Sequence, residues 1–264
     1  MRATPILLIT LGIVVNRIDS HKSTEYNELW SVWKSQYDKQ YENEKEEEIR
    51  RSKWIENIEK IHSHNLRYDL GLETFTLGIN QFTDIDWKEF HSQYAMNKQL
   101  EIPESSYIEE DYDVNNVGWT PESYDWRHLN IVNEPRDQDQ DCMANSSDVV
   151  VQSIGFKFHR HGYETILKWA LYNEGPYVIS MNIDENFLSY KSGIYQSETC
   201  THYNLNQSML LVGYGYDNDG VDYWILQNSW GKQWGEQGYV KVRRNNWNMC
   251  GIASMAFRPI LRSF

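Results

Sequence analysis

Two stretches carry the side chains with which this chain could do chemistry. One is Gln138-Asp139-Gln140-Asp141-Cys142; the other is Asn206 to Gly215, followed by Gln227-Asn228-Ser229-Trp230-Gly231. The Cys142 thiol points to acyl transfer through sulfur. That reaction needs a thiolate, a base to share its proton, a group that orients the base, and a donor for the oxyanion. The Gln138 amide can donate to an oxyanion, Asn228 can orient a ring, and Trp230 can shield the resulting hydrogen bond from water. The base is the weak member. Gln207 opens the apolar run, and an amide takes up no proton near neutral pH. Without an imidazolium beside it, Cys142 titrates as an ordinary thiol, with little thiolate in an acidic compartment. His202 lies five residues before Gln207, an odd spacing that turns it to the other face if the strand continues. His159 and His161 fall where no pattern places them. All three read as surface histidines. No Cys/His spacing suggests a metal site, and no cofactor is implied.

The elements that must position these groups come next. The chain has 264 residues and a formal charge of −13, which suits one domain with an accessory segment, or two small domains. With 11 Trp and 18 Tyr it has material for a packed core. The acidity argues against nucleic-acid binding and reads as a solvated acidic surface. Arg2 precedes an apolar run, Ile6 to Val15, that reads as a secretory signal over residues 1–20 and is too short to span a bilayer. No later segment approaches transmembrane length. On that route cysteines can pair; three of them, Cys142, Cys200 and Cys250, allow at most one intrachain bridge. Sequons at Asn145 and Asn206 could carry glycans where exposed.

Tyr26, Trp30, Trp33, Tyr37 and Tyr41 recur at helical steps, predicting an amphipathic helix over residues 26–41. Glu46, Arg50, Trp54, Asn57, Ile61 and Asn65 form one stripe of a second helix over residues 44–65, which Leu70-Gly71 would stop. Thr74 to Asn80 alternates like a short strand, and Asp86 to Phe90 could start a third helix. Residues 96–118, with Pro103 and an acidic patch, read as an exposed linker open to cleavage. A helix over 162–171 stops at Gly175-Pro176, and Tyr177, Ile179, Met181 and Ile183 alternate as a strand. Further strands are predicted at Met209–Tyr214, Tyr223–Gln227 and Gly238–Arg243.

The identities on these elements resemble a known family. The 46-50-54-57-61-65 series resembles the interspersed propeptide motif of cathepsin L-like zymogens, with Trp54 in place of the usual Phe. Gly78, Asn80, Phe82 and Asp84 match that family's second propeptide motif. Pro121 to Arg127 resembles the opening of the mature, papain-like cysteine peptidase domain. The resemblance implies an α+β protein: a helical inhibitor propeptide over 25–95, a linker or cleavage region over 96–118, and a truncated papain-like domain over 119–264. That last part would be mostly the β-rich right-hand lobe. It also implies that Gln138 is the oxyanion glutamine, that Asn228 and Trp230 are the orienting asparagine and its shield, and that Cys200 and Cys250 are disulfide partners. A bridge of that span would add about 3–4 kcal/mol.

Three departures stand out. Gln207 occupies the place of the family's base histidine. The nucleophile segment admits two registers: without a gap Ala144 falls at the nucleophile, whereas a three-residue deletion places Cys142 there. After Ser147 roughly seventy residues of the family pattern are absent, about a third of a peptidase domain. Three readings follow. The chain is a cysteine endopeptidase homologue impaired in catalysis, acting on peptides by ancestry in a lysosomal or extracellular compartment. Alternatively, residues 25–100 act as a trans inhibitor whose partner is an intact cathepsin L-like peptidase. Thirdly, the sequence is an incomplete gene model or splice form of a working enzyme, although skipping an exon would not replace a distant histidine.

Overall fold

The computed structural model describes residues 26–94, 107–109, 117–137, 151–159 and 162–263. Residues 1–20, read above as a secretory signal, and Gln138, Cys142, Asn145 and His161 lie outside the described residues. Helix α1 covers residues 26–36 and ends five residues earlier than its aromatic period suggests, at a turn where Asp38 takes φ 49°. Tyr41 is therefore not on the helix; it folds back to stack on Trp30, with ring centroids 5.8 Å apart. Helix α2, Glu44–Asp69, is capped by Asn43, whose side chain accepts from the Glu46 backbone N–H. Trp54 is fully buried between the helices and meets Trp30 edge-on at 5.5 Å. With Trp33 and Ile58 it forms a small separate core.

Strand β1, Phe75–Leu77, and helix α3, Trp87–Tyr94, complete the N-terminal region. Within the span read as a linker, Tyr107–Glu109 forms a short strand, β2; beyond it, Tyr124–Asp125 forms β3. The rest alternates β4 (Val151–His159), α4 (Glu164–Glu174), β5 (Tyr177–Met181), α5 (Glu185–Leu188) and β6 (Tyr190–Tyr195). Then come β7 (Gln207–Tyr216), β8 (Asp222–Gln227), β9 (Tyr239–Arg243) and β10 (Ala256–Ser263). Among the described residues the sheet runs β1-β6-β9-β8-β7-β5-β10-β4-β2, with β3 paired to β7. The mixed α+β class expected from the sequence is the one observed. Strand β4 was not anticipated, although Ile154, Phe156 and Phe158 alternate at period two; only Phe158 of these is fully buried.

Two glycines answer close backbone approaches. A Cβ at Gly193, where φ is +94°, would lie 2.6 Å from the Thr74 carbonyl oxygen on the strand arriving from the N-terminal region. A Cβ at Gly213 would lie 2.6 Å from the Tyr124 oxygen, so the Val-Gly-Tyr-Gly run keeps room for β3 against β7.

Buried Glu164 holds the loop before β10. Its carboxylate accepts from Trp224 Nε1 at 2.9 Å and from the backbone N–H groups of Asn245, Asn246 and Asn248. Asn245, Trp247, Asn248 and Cys250 all have positive φ there, and the loop presents Cys250 to Cys200, with which it forms a disulfide. The bridge closes a separation of 50 residues. Chain-entropy bookkeeping gives it about 4 kcal/mol. A Cys200→Ser/Cys250→Ser variant should melt lower by on the order of 10 °C, measured by calorimetry, and reductant should lower the wild type but not the variant.

Candidate active site and family membership

Gln207 is the first residue of β7, and Asn228 is the first residue after β8. Antiparallel pairing of these strands brings the two side chains together, both buried. The Gln207 Nε2 donates to Asn228 Oδ1 at 2.8 Å. The same oxygen accepts from the Ser229 backbone N–H at 2.9 Å. Asn228 is thus already oriented, with its acceptor committed to an amide. Trp230 packs beneath, 1% exposed, with edge-on contacts to Phe82 at 5.2 Å, Phe90 at 5.2 Å and Trp234 at 5.0 Å.

The segment leading to Gln138 is strapped across this turn. The Gln227 side chain donates to the Asn133 carbonyl at 2.6 Å, the Gly231 N–H donates to the Arg136 carbonyl at 3.2 Å, and Asp137 bridges Trp230. Gln138 follows directly in sequence.

No described histidine replaces the base. The Gln207 Nε2 donates to Asn228 Oδ1 and to the Ser208 carbonyl. His202 is exposed, on irregular chain rather than a continued strand. His159 corrects the expectation of a surface histidine: it is buried, its Nε2 lying 2.9 Å from the Tyr177 hydroxyl. Its register runs His159↔Ala256↔Ile179↔Met209 across β4, β10, β5 and β7. Three strand spacings put it about 14 Å from β7. Asn206 corrects another expectation. It is buried, accepting from the Ile183 N–H at 2.7 Å and donating back to the Ile183 carbonyl, so no glycan fits there in the folded chain.

The propeptide-motif residues all find work. Asn57 Nδ2 donates to the Thr83 and Ile85 carbonyls, each at 2.9 Å. Asn65 pairs with Leu77 through both its amide groups. Glu46 accepts from the Glu42 N–H at 3.0 Å, and Asp84 accepts from Lys39 and Tyr41. Asn80 Nδ2 donates to the Leu188 carbonyl at 2.6 Å, and the Gly78 N–H donates to the Ser189 carbonyl. Ile61 and Phe82 are buried.

Arg50 and Lys53 on α2 both hold Glu89 on α3, at 2.6 Å and 2.8 Å, and Lys53 also holds Asp86 just before that helix. Burial opposes ionisation of Glu89, but hydrogen bonds and charge from Lys53 and Arg50 outweigh it and hold its carboxyl below the usual range. The Glu89 backbone N–H and then Lys53 do the same for Asp86. Depressed carboxylates stabilise the fold fully above their unfolded pKa values and lose that contribution as pH falls through the folded ones. The melting temperature should therefore fall below about pH 4, and Glu89→Gln should flatten that fall while costing stability at neutral pH.

The papain family cysteine protease profile matches residues 116–260, and the cathepsin propeptide inhibitor domain profile matches residues 30–90. The chain belongs to the papain family of cysteine proteases. It is 30% identical to a cathepsin L-like proteinase of Fasciola hepatica, with 100% of both chains covered, and 26% identical to cathepsin S of Mus musculus, with 95% of each covered. Its fold matches digestive procathepsin L2 proteinase from Tenebrio molitor larval midgut at TM-score 0.80, covering 89% of this chain and 99% of that one at 24% identity. The Tenebrio molitor digestive procathepsin L 3 matches at TM-score 0.76 and 26% identity, covering 89% and 98%. The Fasciola alignment runs over 340 positions against a chain of 264 residues, so 76 of its positions face no residue here. Among the described residues no helix is long and apolar enough to cross a membrane.

Proposed function

We propose that this papain-family chain is catalytically silent: a cathepsin L-like cysteine endopeptidase by descent that no longer turns over peptides. The carrying observation is the 2.8 Å hydrogen bond from the Gln207 amide to Asn228, at the place where the family motif calls for an imidazole. An amide there satisfies Asn228 but can neither accept a proton from a thiol nor return one to a leaving amine. Gln138 keeps the role of oxyanion donor and Trp230 that of shield in this reading, but both serve a site without a base. Cys142 is the nucleophile only in the register that deletes three residues, since the ungapped register puts Ala144 there; either way the segment is disrupted, and the residues missing after Ser147 would have formed much of the cleft wall.

The compartment that goes with this reading is the secretory route, ending in a lysosome or outside the cell, where a Cys200–Cys250 bridge persists. A trans inhibitor of an intact peptidase is the less favoured role, because the propeptide surface it would use is already docked on β6. The test is direct. Purified chain at acidic pH should hydrolyse neither dibasic nor hydrophobic-P2 peptide substrates above buffer, and an epoxide thiol probe should leave Cys142 unlabelled. Stoichiometric labelling at Cys142 would overturn the proposal.

A further inference from the structure

We infer that the two loops joined by the Cys200–Cys250 bridge form a binding surface for a neutral oligosaccharide, with Trp247 as its stacking platform. Trp247 is 91% exposed, more than any other large hydrophobic side chain among the described residues, and its ring meets no other ring and no cation there. Packing therefore does not account for the residue. The backbone does not favour it either: φ is +55°, in the left-handed region that glycine enters freely and a bulky side chain enters at a cost. An exposed indole held in a disfavoured conformation points to a function rather than to a need of the fold.

The surrounding loop is fixed before any ligand arrives. Glu164 holds the backbone N–H groups of Asn245, Asn246 and Asn248 on either side of Trp247. The Asn248 side chain accepts from the Ala253 N–H at 2.7 Å and donates to the Ser254 hydroxyl at 2.9 Å. The second loop is tied to the same place through Asn182. Its N–H donates to the Cys250 carbonyl at 2.8 Å, its Nδ2 donates to the Asn204 carbonyl at 2.9 Å, and its Oδ1 accepts from the Thr201 N–H at 2.9 Å. Between Thr201 and Asn204, Tyr203 stands 78% exposed. Aromatic groups on so fixed a backbone lose little freedom on binding.

The chemistry of the loops selects the occupant. Residues 200–206 and 245–250 contain no Asp, Glu, Lys or Arg, although these types make up 24% of the chain. The loops offer instead two rings and the amides of Asn204, Asn245 and Asn246. Asn245 and Asn246 turn their Nδ2 atoms to Asp222 and to the Met249 sulfur, so their side-chain oxygens remain for hydroxyl donors. A pyranose with equatorial hydroxyls matches that set: its axial C–H groups lie flat on an indole face, and its hydroxyls donate to amide oxygens. A phosphorylated or sulfated ligand finds no cation on either loop, His202 aside, to pair with.

The inference stands or falls independently of whether Cys142 reacts. Saturation-transfer NMR and calorimetric titration of the intact chain with cellotriose, maltotriose and chitotriose test it. At least one trisaccharide should bind, with saturation reaching its axial ring protons most strongly. Trp247→Gly should weaken that binding at least about tenfold while the melting temperature holds or rises, because glycine suits a φ of +55°. Absence of binding by all three trisaccharides, or binding untouched by Trp247→Gly, would overturn the inference. So would a protein partner that covers Trp247 while the saccharides leave it open, since that outcome marks a protein interface.

Discussion

Replacing Gln207 by histidine should leave peptide turnover at the level of buffer. The substitution is chosen to succeed locally: a ring N–H can take over the donation to Asn228 Oδ1, which already sits oriented by the Ser229 N–H. An imidazole so placed restores the base and its orienter. The nucleophile stays unrepaired. Only thirteen residues, 138 to 150, join Asp137 to the start of β4, and in the register that keeps Cys142 the loop after Gln138 is three residues short of the family pattern. Members of such a set act as a unit, and loss of one costs on the order of 10⁴-fold or more, so repairing one of two defects recovers little. The measurement is kcat/KM on a hydrophobic-P2 peptide between pH 4 and 8, with Asn228→Ala in the Gln207→His background as control. A bell-shaped profile that the control abolishes would show a competent thiol and refute the proposed silence.

Trp230→Ala should destabilise the whole molecule by about 3–5 kcal/mol. In the family pattern this residue serves catalysis, as the shield over the orienting hydrogen bond. Here its ring is 1% exposed and touches Phe82, Phe90, Phe187 and Trp234, so it links the propeptide to the β lobe. Truncation would open a cavity at that junction and remove several edge-on aromatic contacts, each of about 0.5–1.5 kcal/mol beyond area burial. Against a total stability of roughly 5–15 kcal/mol that is a large share. Chemical denaturation followed by circular dichroism reads it. A loss under about 1 kcal/mol, small for a core truncation, would mean that the neighbours collapse into the space and that the ring is no keystone.

Local sequence made the helices legible. The Trp54, Ile61 and Asn65 stripe lies on one face of α2, and Asn43 caps it, because helix periodicity and capping depend on residues three or four apart. The early end of α1 was not legible. Tyr41 continues the aromatic period, yet it is drawn off the helix to stack on Trp30 and to donate to Asp84, a partner 43 residues away. Strand β4 is not legible in the sequence because its alternation marks only one buried ring; its strand character comes from pairing with the distant β10, His159 opposite Ala256 and Val151 opposite Ser263.

The candidate site divides the same way. That Gln207 carries an amide where a proton acceptor is needed is a property of residue type, and the sequence alone determines it. So does the count of three cysteines, which limits the chain to one intrachain bridge. What the tertiary structure decided is where those groups sit. It set Gln207 against Asn228 by the β7–β8 register, and it buried Asn206 in a paired bond with Ile183, closing a sequon that composition left open. It also moved His159 from the expected surface into the sheet, three strands from the site. These outcomes depend on contacts between residues far apart in the chain, and burial and register are properties of the assembled sheet. No local pattern of side chains encodes them.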